Sequence, residues 1–272
     1  MKNLLGALLL VGALTGCSNA KSYTNRGIEY LEKEDYDTAL TEFDKALELD
    51  PDYAPAYLSR GRAYAGKGYY DTAIADYDKA LELDPDYARA YLNRGLAYAG
   101  KRDYDTAIAD YDKALELDPT LARAYFGRGG AYAGKKDYDT AIADFDKALE
   151  LDPDYARAYL NRGRAYAEKR DYDTAIAEFD KALELDPTLA GAYLSRGVAW
   201  IDKKDYDKAI ADYDTLIRMN PEDPIPYFNR GNAYYRKGGY AQARANWEKA
   251  LEIDPNFDDA RHNLRLLGNR GR

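Results

Sequence analysis

The chain has 272 residues, of which 46% are hydrophobic and 32% charged, and its formal net charge is −9. The hydrophobic fraction is sufficient for a folded core, and the excess of acid argues against a nucleic-acid-binding protein. One histidine, His262, and one cysteine, Cys17, are too few for a Cys/His catalytic pair or a His/Cys metal cluster. We therefore expect a protein that is not an enzyme and has no cofactor, metal site, nucleic-acid partner or small-molecule substrate.

The first 16 residues have the pattern of a secretion signal. Lys2 precedes the apolar run Leu4–Leu14, which is shorter than the ~20 residues that a helix needs to span a bilayer. The sequence Leu14-Thr15-Gly16-Cys17 then resembles the lipobox of bacterial lipoproteins. That resemblance implies that residues 1–16 are removed, that Cys17 is lipidated, for example with palmitate, and that residues 17–19 form a short linker. A transmembrane anchor and a secreted protein with an incidental cysteine are the alternatives.

The residue after the cysteine bears on location. Ser18, rather than Asp, follows Cys17. For a bacterial lipoprotein this implies transfer to the outer membrane, with the protein facing the periplasm. The lipid anchor would then be its contact with the membrane.

The rest of the chain repeats with a period of 34 residues. Arg-Gly pairs mark the period, with glycines at Gly27, Gly61, Gly95, Gly129, Gly163, Gly197 and Gly231. Within residues 88–121, two amphipathic helical patterns flank a turn, in which we expect Gly100 to stop the first helix and Asp103 to cap the second. We expect Asp118 and Pro119 to begin the next helix. Each unit is therefore predicted to be a helical hairpin that stacks on its neighbours.

The unit resembles the tetratricopeptide repeat (TPR). Counted from Ala20, the fourth residue is always Tyr, the eighth Gly and the twentieth Ala, and the eleventh and twenty-fourth are aromatic. The seventh, Arg, departs from the Leu that is usual in the family. The resemblance implies an all-α, right-handed α-solenoid of seven hairpins. They would occupy residues 20–53, 54–87, 88–121, 122–155, 156–189, 190–223 and 224–257.

Residues 258–272 follow the last repeat. Ala260, Leu264 and Leu267 recur at helical spacing, which predicts one amphipathic helix over Asp258–Leu267. We expect this helix to cover the apolar end of the solenoid, followed by a short tail.

In the TPR family the first helix of each repeat lines a concave groove, and the family's groove positions can be carried onto this chain. They predict peptide-binding residues Asn25, Arg62, Arg89, Asn93, Arg123, Phe126, Arg157, Asn161, Arg164 and Asn229. Arginines on an acidic body favour an extended partner with carboxylates, and asparagine amides can pair with any peptide backbone. The alternative is a solvated surface in which the arginines pair with acids such as Asp86 and Asp154.

Two other patterns have structural explanations. All but two of the 28 tyrosines fall at recurring repeat positions, so we interpret them as packing residues and not as a stacking platform for single-stranded nucleic acid. Aspartates such as Asp103, Asp105, Asp110 and Asp112 recur near helix starts without the glycine and closing glutamate of a calcium loop. We interpret them as a solvated helix face.

These patterns predict a non-catalytic interaction scaffold or adaptor that is anchored to the bacterial envelope and binds extended protein segments. The alternative is a protein that binds or processes cell-wall polymer. Self-association through the solenoid is a third hypothesis.

Overall fold

The structure is a computed structural model that describes residues 19–269. Every regular element within those residues is a helix, and they contain no strand, which confirms the predicted all-α fold class of a TPR solenoid. None of the helices described is long and apolar enough to cross a bilayer. The predicted signal peptide and the lipidated Cys17 lie outside the described residues.

The chain divides into two compact units, Met1–Thr140 and Ala141–Arg272, with the boundary inside the eighth helix. We call the first helix of each repeat the A-helix and the second the B-helix. The N-terminal unit contains α1 (residues 19–32), α2 (Tyr36–Leu49), α3 (Ala54–Gly66), α4 (Tyr70–Leu83), α5 (Ala88–Gly100), α6 (Tyr104–Leu117), α7 (Ala122–Gly134) and the start of α8 (Tyr138–Leu151).

The C-terminal unit begins within α8 and ends with the single helix predicted after the last repeat. Its further helices are α9 (Ala156–Glu168), α10 (Tyr172–Leu185), α11 (Ala190–Asp202), α12 (Tyr206–Met219), α13 (Pro224–Lys237), α14 (Tyr240–Ile253) and α15 (Asp258–Asn269). Helix α15 packs on α14 and buries Ala260 and Leu267 against Trp247. The last helix thus covers apolar surface of the last hairpin.

The turn within a repeat differs from the prediction in one respect. Gly100 is the last residue of α5, and the left-handed backbone conformation falls on Arg102, with φ of 63°. Gly100 serves packing instead, because a Cβ atom there would lie 2.7 Å from Cζ of Tyr70. Asp103 caps α6 as predicted, since its carboxylate accepts a hydrogen bond from the Thr106 N–H at 3.3 Å.

The turn between repeats also differs. Asp118 ends α6 as its C-cap residue and does not begin the next helix. Its carboxylate accepts hydrogen bonds from the N–H of Thr120 at 3.0 Å and from the Thr120 hydroxyl at 2.6 Å. Helix α7 begins at Ala122 after the N-cap residue Leu121. Pro119 therefore lies in a loop that Asp118 stabilises through an Asx-type turn.

Aromatic side chains of the B-helices fill the space beside the A-helices. Tyr111 is fully buried between two A-helices. A Cβ atom added to Gly95 would lie 2.9 Å from the Tyr111 ring, and one added to Gly127 would lie 2.7 Å from it. Glycine at these positions permits close helix packing. Burial of such side chains agrees with the packing role predicted for the tyrosines, whereas Tyr69 and Tyr240 are 56% and 48% exposed.

From the second repeat to the seventh, the arginine at the seventh position binds an acid of the preceding repeat. Nε and Nη2 of Arg94 donate to both carboxylate oxygens of Asp110 at 2.8 and 2.6 Å, and Nη1 donates to Asp78 of the preceding repeat at 2.6 Å. The guanidinium also lies over the ring of Tyr91. We call the residues with this arrangement the inter-repeat arginines, and they are Arg60 and Arg94 in the N-terminal unit and Arg162 and Arg196 in the C-terminal unit.

The prediction of a solvated acidic face is therefore wrong for Asp110, whereas Asp78 of the preceding repeat binds Arg94 and is still about half exposed. Asp110 is only 5% exposed. Its hydrogen bonds to Arg94 raise the pKa of that arginine further above its usual value, against the opposing effect of burial. A carboxylate in this position requires such a partner, because an unpaired buried charge is strongly destabilising.

Candidate functional site

Four predicted binding residues of the N-terminal unit line one pocket of about 370 Å³ on the A-helix surface. They are Arg62 on α3, Arg89 and Asn93 on α5, and Arg123 on α7. The buried leucines Leu58 and Leu92 supply apolar surface between them. We call this cavity the arginine pocket, and it shows that three successive A-helices present cations to a common space.

The positions of these arginines follow from the helices that carry them. Arg89 and Arg123 are the second residues of α5 and α7, and Arg62 lies in the third turn of α3; all three side chains are exposed. Burial raises the pKa of Tyr87, whereas Arg89 and Arg62 both act to lower it. Two of the guanidinium groups therefore lie near the same phenol.

The three arginines of the pocket form no salt bridge with any residue in 19–140. Within residues 19–140, the arginines that form such bridges are Arg26, Arg60, Arg94 and Arg128. The pairing of Arg89 with Asp86, considered above as an alternative, is not formed. Arg89 instead influences Asp118, whose pKa is lowered mainly by its bonds to Thr120 and further by Arg89.

The predicted row of asparagines is only partly available. Nδ2 of Asn93 donates to the carbonyl oxygen of Arg89 at 2.7 Å, which fixes the amide beside the arginine pocket. The row is interrupted at Gly127, because the ring of Tyr111 occupies the space of any side chain there. Asn25 is exposed on α1 and Phe126 is half-buried on α7, and neither lines the arginine pocket.

The C-terminal unit places its predicted residues differently. Arg164 lines a pocket of about 580 Å³ between α9 and α11, and its Nε donates to the Ser195 hydroxyl at 3.1 Å. Partial burial lowers the pKa of this arginine. The same pocket includes the exposed Val198. Arg170 and the acidic residues Glu168 and Asp202 also line it, so this pocket carries both signs of charge.

A second pocket of the C-terminal unit, about 400 Å³, contains Asn229 and a further asparagine that the groove positions did not predict. Asn263 of α15 lines it and donates through Nδ2 to Oδ1 of Asn232 at 3.0 Å, an oxygen that also accepts from Trp247 Nε1 at 3.1 Å. Asn263 lies 34 residues after Asn229. The repeat period itself therefore indicated that α15 continues the row of A-helices.

The two remaining predicted residues, Arg157 and Asn161, line neither of these pockets. Arg157 is exposed at the start of α9. It lowers the pKa of Asp186, although the bonds of Asp186 to Thr188 have the larger effect. The structure thus brings together four of the six predicted residues of the N-terminal unit, whereas the predicted residues of the C-terminal unit do not share one pocket.

Comparison with known proteins gives one consistent family. A sequence model described as "TPR repeat" matches residues 27–68, 61–101 and 231–264. Models described as "Tetratricopeptide repeat" match residues 126–190 and 160–224, residues 88–121, and residues 212–245. Among curated proteins, none matches this sequence.

Solved structures show the same fold. A TPR protein from Parabacteroides merdae is 20% identical, with a TM-score of 0.67 over 92% of this chain and 99% of its own. YrrB, described as "a TPR protein with an unusual peptide-binding site", is 26% identical, with a TM-score of 0.58 over 70% of this chain and 97% of its own. MamA is 32% identical, with a TM-score of 0.52 over 60% and 96%.

Proposed function

Because the chain belongs to the tetratricopeptide-repeat family, we propose that it is a non-catalytic protein–protein interaction scaffold that binds an extended, acidic peptide segment. The arginine pocket is the observation that carries this proposal. Three arginines that form no salt bridge within residues 19–140 face one cavity in a chain whose net charge is −9. The most favourable occupant of such a cavity is a segment that brings carboxylates.

The chemistry of the pocket suits a peptide better than a compact ligand. Guanidinium groups bind carboxylates through paired, charge-assisted hydrogen bonds. Asn93 adds an amide that can pair with a peptide group, and Leu58 and Leu92 offer apolar contact to intervening side chains. These groups extend over three A-helices, so the ligand must be long enough to reach all of them.

The relatives support the same class of ligand. YrrB, whose description mentions a peptide-binding site, is 26% identical over most of this chain. That likeness supports a peptide as the ligand of this surface. The alternative function, binding or processing of cell-wall polymer, has no comparable support in the described residues.

We also propose that the scaffold is a lipoprotein of the bacterial envelope, anchored in the outer membrane and facing the periplasm. This rests on the sequence of residues 1–18 alone. In a bacterial host, Cys17→Ser is expected to abolish incorporation of radiolabelled palmitate, and Ser18→Ala is expected to retain it. Undiminished labelling of the Cys17→Ser protein would refute the assignment.

The binding proposal is tested with a fluorescent peptide that contains glutamates and a matched peptide with glutamines. The double variant Arg89→Glu/Arg123→Glu is expected to weaken binding of the glutamate peptide by at least about 20-fold, because attraction becomes repulsion. Arg244→Glu/Arg265→Glu makes the same change of charge at exposed positions of α14 and α15. Equal weakening in both double variants would contradict the pocket assignment.

A further inference from the structure

The arginine pocket imposes a spacing on its ligand. Arg89 and Arg123 occupy equivalent positions of consecutive repeats, each as the second residue of its A-helix. Helix α5 packs directly against α7, and packed helices lie about 8–10 Å apart. The guanidinium groups of Arg89 and Arg123 are therefore separated by about one helix diameter.

The same interval can be expressed in residues of an extended peptide. A polyproline II segment advances about 3.1 Å per residue, so 8–10 Å corresponds to about three residues. Three residues also complete one turn of polyproline II, which returns side chains i and i+3 to the same side. In a β-strand, side chains three residues apart point to opposite faces, so the β conformation does not satisfy both arginines.

We infer that the partner segment carries two acidic side chains three residues apart and binds in the polyproline II conformation. This inference rests on the proposed function and specifies its ligand. The first carboxylate lies between Arg89 and Arg62, because both arginines line the arginine pocket from neighbouring A-helices. The second carboxylate pairs with Arg123, and the two intervening residues pass over Leu92.

Within each of the two units, the other arginines described do not offer this pattern. The inter-repeat arginine Arg94 is already bonded to two carboxylates. In the C-terminal unit, the repeat that follows Arg157 has Gly191 at the equivalent position, and Arg164 is engaged by Ser195. The pair in the arginine pocket therefore combines the required spacing with unoccupied charge.

The test compares four peptides with a common backbone of proline and alanine. Three carry two glutamates, separated as i and i+2, i and i+3, or i and i+5, and the fourth has glutamines at i and i+3. We expect the i,i+3 glutamate peptide to bind at least fivefold more tightly than the other two glutamate peptides. Arg123→Ala is expected to remove that preference, since only one carboxylate is then bound at the pocket.

The outcomes separate the two proposals. If all three glutamate peptides bind equally and more tightly than the glutamine peptide, the spacing inference is overturned and the acidic-peptide function stands. If i,i+2 binds best, the peptide is β-extended and the polyproline II assignment is wrong. If no glutamate peptide exceeds the glutamine peptide, the proposed function fails together with the inference.

Discussion

Two regions of the N-terminal unit use arginine in opposite ways. Arg94 and Arg89 lie five residues apart on α5, so they point about 140° apart around the helix. Arg94 lies between repeats and is bonded to Asp110 and Asp78. Arg89 lies on the A-helix surface and forms no salt bridge within residues 19–140. One helix thus separates a structural cation from one that is available to a ligand.

The comparison explains how an acidic chain can present a cationic pocket. Acids of the B-helices are bound by the inter-repeat arginines, as Asp76 is by Arg60. Further B-helix acids bind the lysines of the following repeat's turn, as in the pair Lys67–Asp37. These ion pairs hold part of the negative charge at the contacts between consecutive repeats. Net charge alone therefore gives little information about the field at the A-helix surface.

The largest expected effect comes from replacing Arg94, the inter-repeat arginine of α5. Arg94→Met leaves the buried carboxylate of Asp110 without its partner and is expected to lower the free energy of unfolding by about 3–5 kcal/mol. Arg89→Met is expected to change it by no more than about 0.5 kcal/mol. Urea denaturation of both variants measures the difference.

A companion variant keeps this test informative if Arg94→Met fails to fold. Arg94→Met/Asp110→Leu replaces the buried pair with apolar side chains and is expected to recover most of the lost stability. Equal destabilisation by Arg94→Met and Arg89→Met would show that the distinction between the two arginines is wrong.

The next largest expected effect concerns the close packing of Gly127 on α7 against the ring of Tyr111. In Gly127→Ala, the new methyl group would lie 2.7 Å from the ring of Tyr111, and we expect a loss of about 1–3 kcal/mol in unfolding free energy. Gly130→Ala is the matched control on the same helix, because no side chain or backbone from another helix lies within 4 Å of its Cβ position. That substitution is expected to stabilise the protein by about 0.5–1 kcal/mol. Stabilisation by both alanines would contradict the packing argument.

The sequence predicted the fold because each hairpin is specified locally. The 34-residue period, the small residues at close contacts and the recurring aromatics all require the same packing. Caps were less predictable. Asp118 is consistent by type with either an N-cap or an Asx turn, and it forms the Asx turn, as Asp84 and Asp152 do in their repeats.

The candidate site was predicted in part. Arg62, Arg89, Asn93 and Arg123, which the family's groove positions selected, line one pocket, because A-helices of consecutive repeats pack side by side. They did not reveal that Tyr111 excludes a side chain at residue 127. That exclusion depends on the direction of a ring from another helix, which sequence spacing does not encode.

A smaller effect concerns the hydroxyl group of Tyr111. This oxygen is buried and has no hydrogen-bond partner, and burial raises the pKa of the phenol. Tyr111→Phe is therefore expected to raise the unfolding free energy by about 1 kcal/mol, because an unsatisfied polar group is removed. Phe179→Tyr introduces a hydroxyl at the equivalent buried position of the C-terminal unit and is expected to have the opposite sign. Thermal denaturation followed by circular dichroism measures both changes.

The smallest expected effect is a change in the pKa of Asp118, which responds to the positive charge of Arg89 in the arginine pocket. The bonds from Thr120 are the main cause of the lowered pKa of Asp118, and Arg89 contributes to it. Folding therefore favours the charged carboxylate. Its contribution to stability is present above the ordinary carboxyl pKa of about 3.9 and is lost as pH falls through the lowered value.

This dependence gives a test with an internal reference. Asp186 of the C-terminal unit has the same bonds, from Thr188. In an NMR titration of the carboxyl carbons, Thr120→Ala is expected to raise the pKa of Asp118 most and Arg89→Glu to raise it less, while Asp186 is unchanged in both variants. Because Asp186 shares the turn but not Arg89, a matching rise at Asp186 in Arg89→Glu would indicate a general effect of net charge. A rise confined to Asp118 would place the charge of Arg89 beside the loop that lines the arginine pocket.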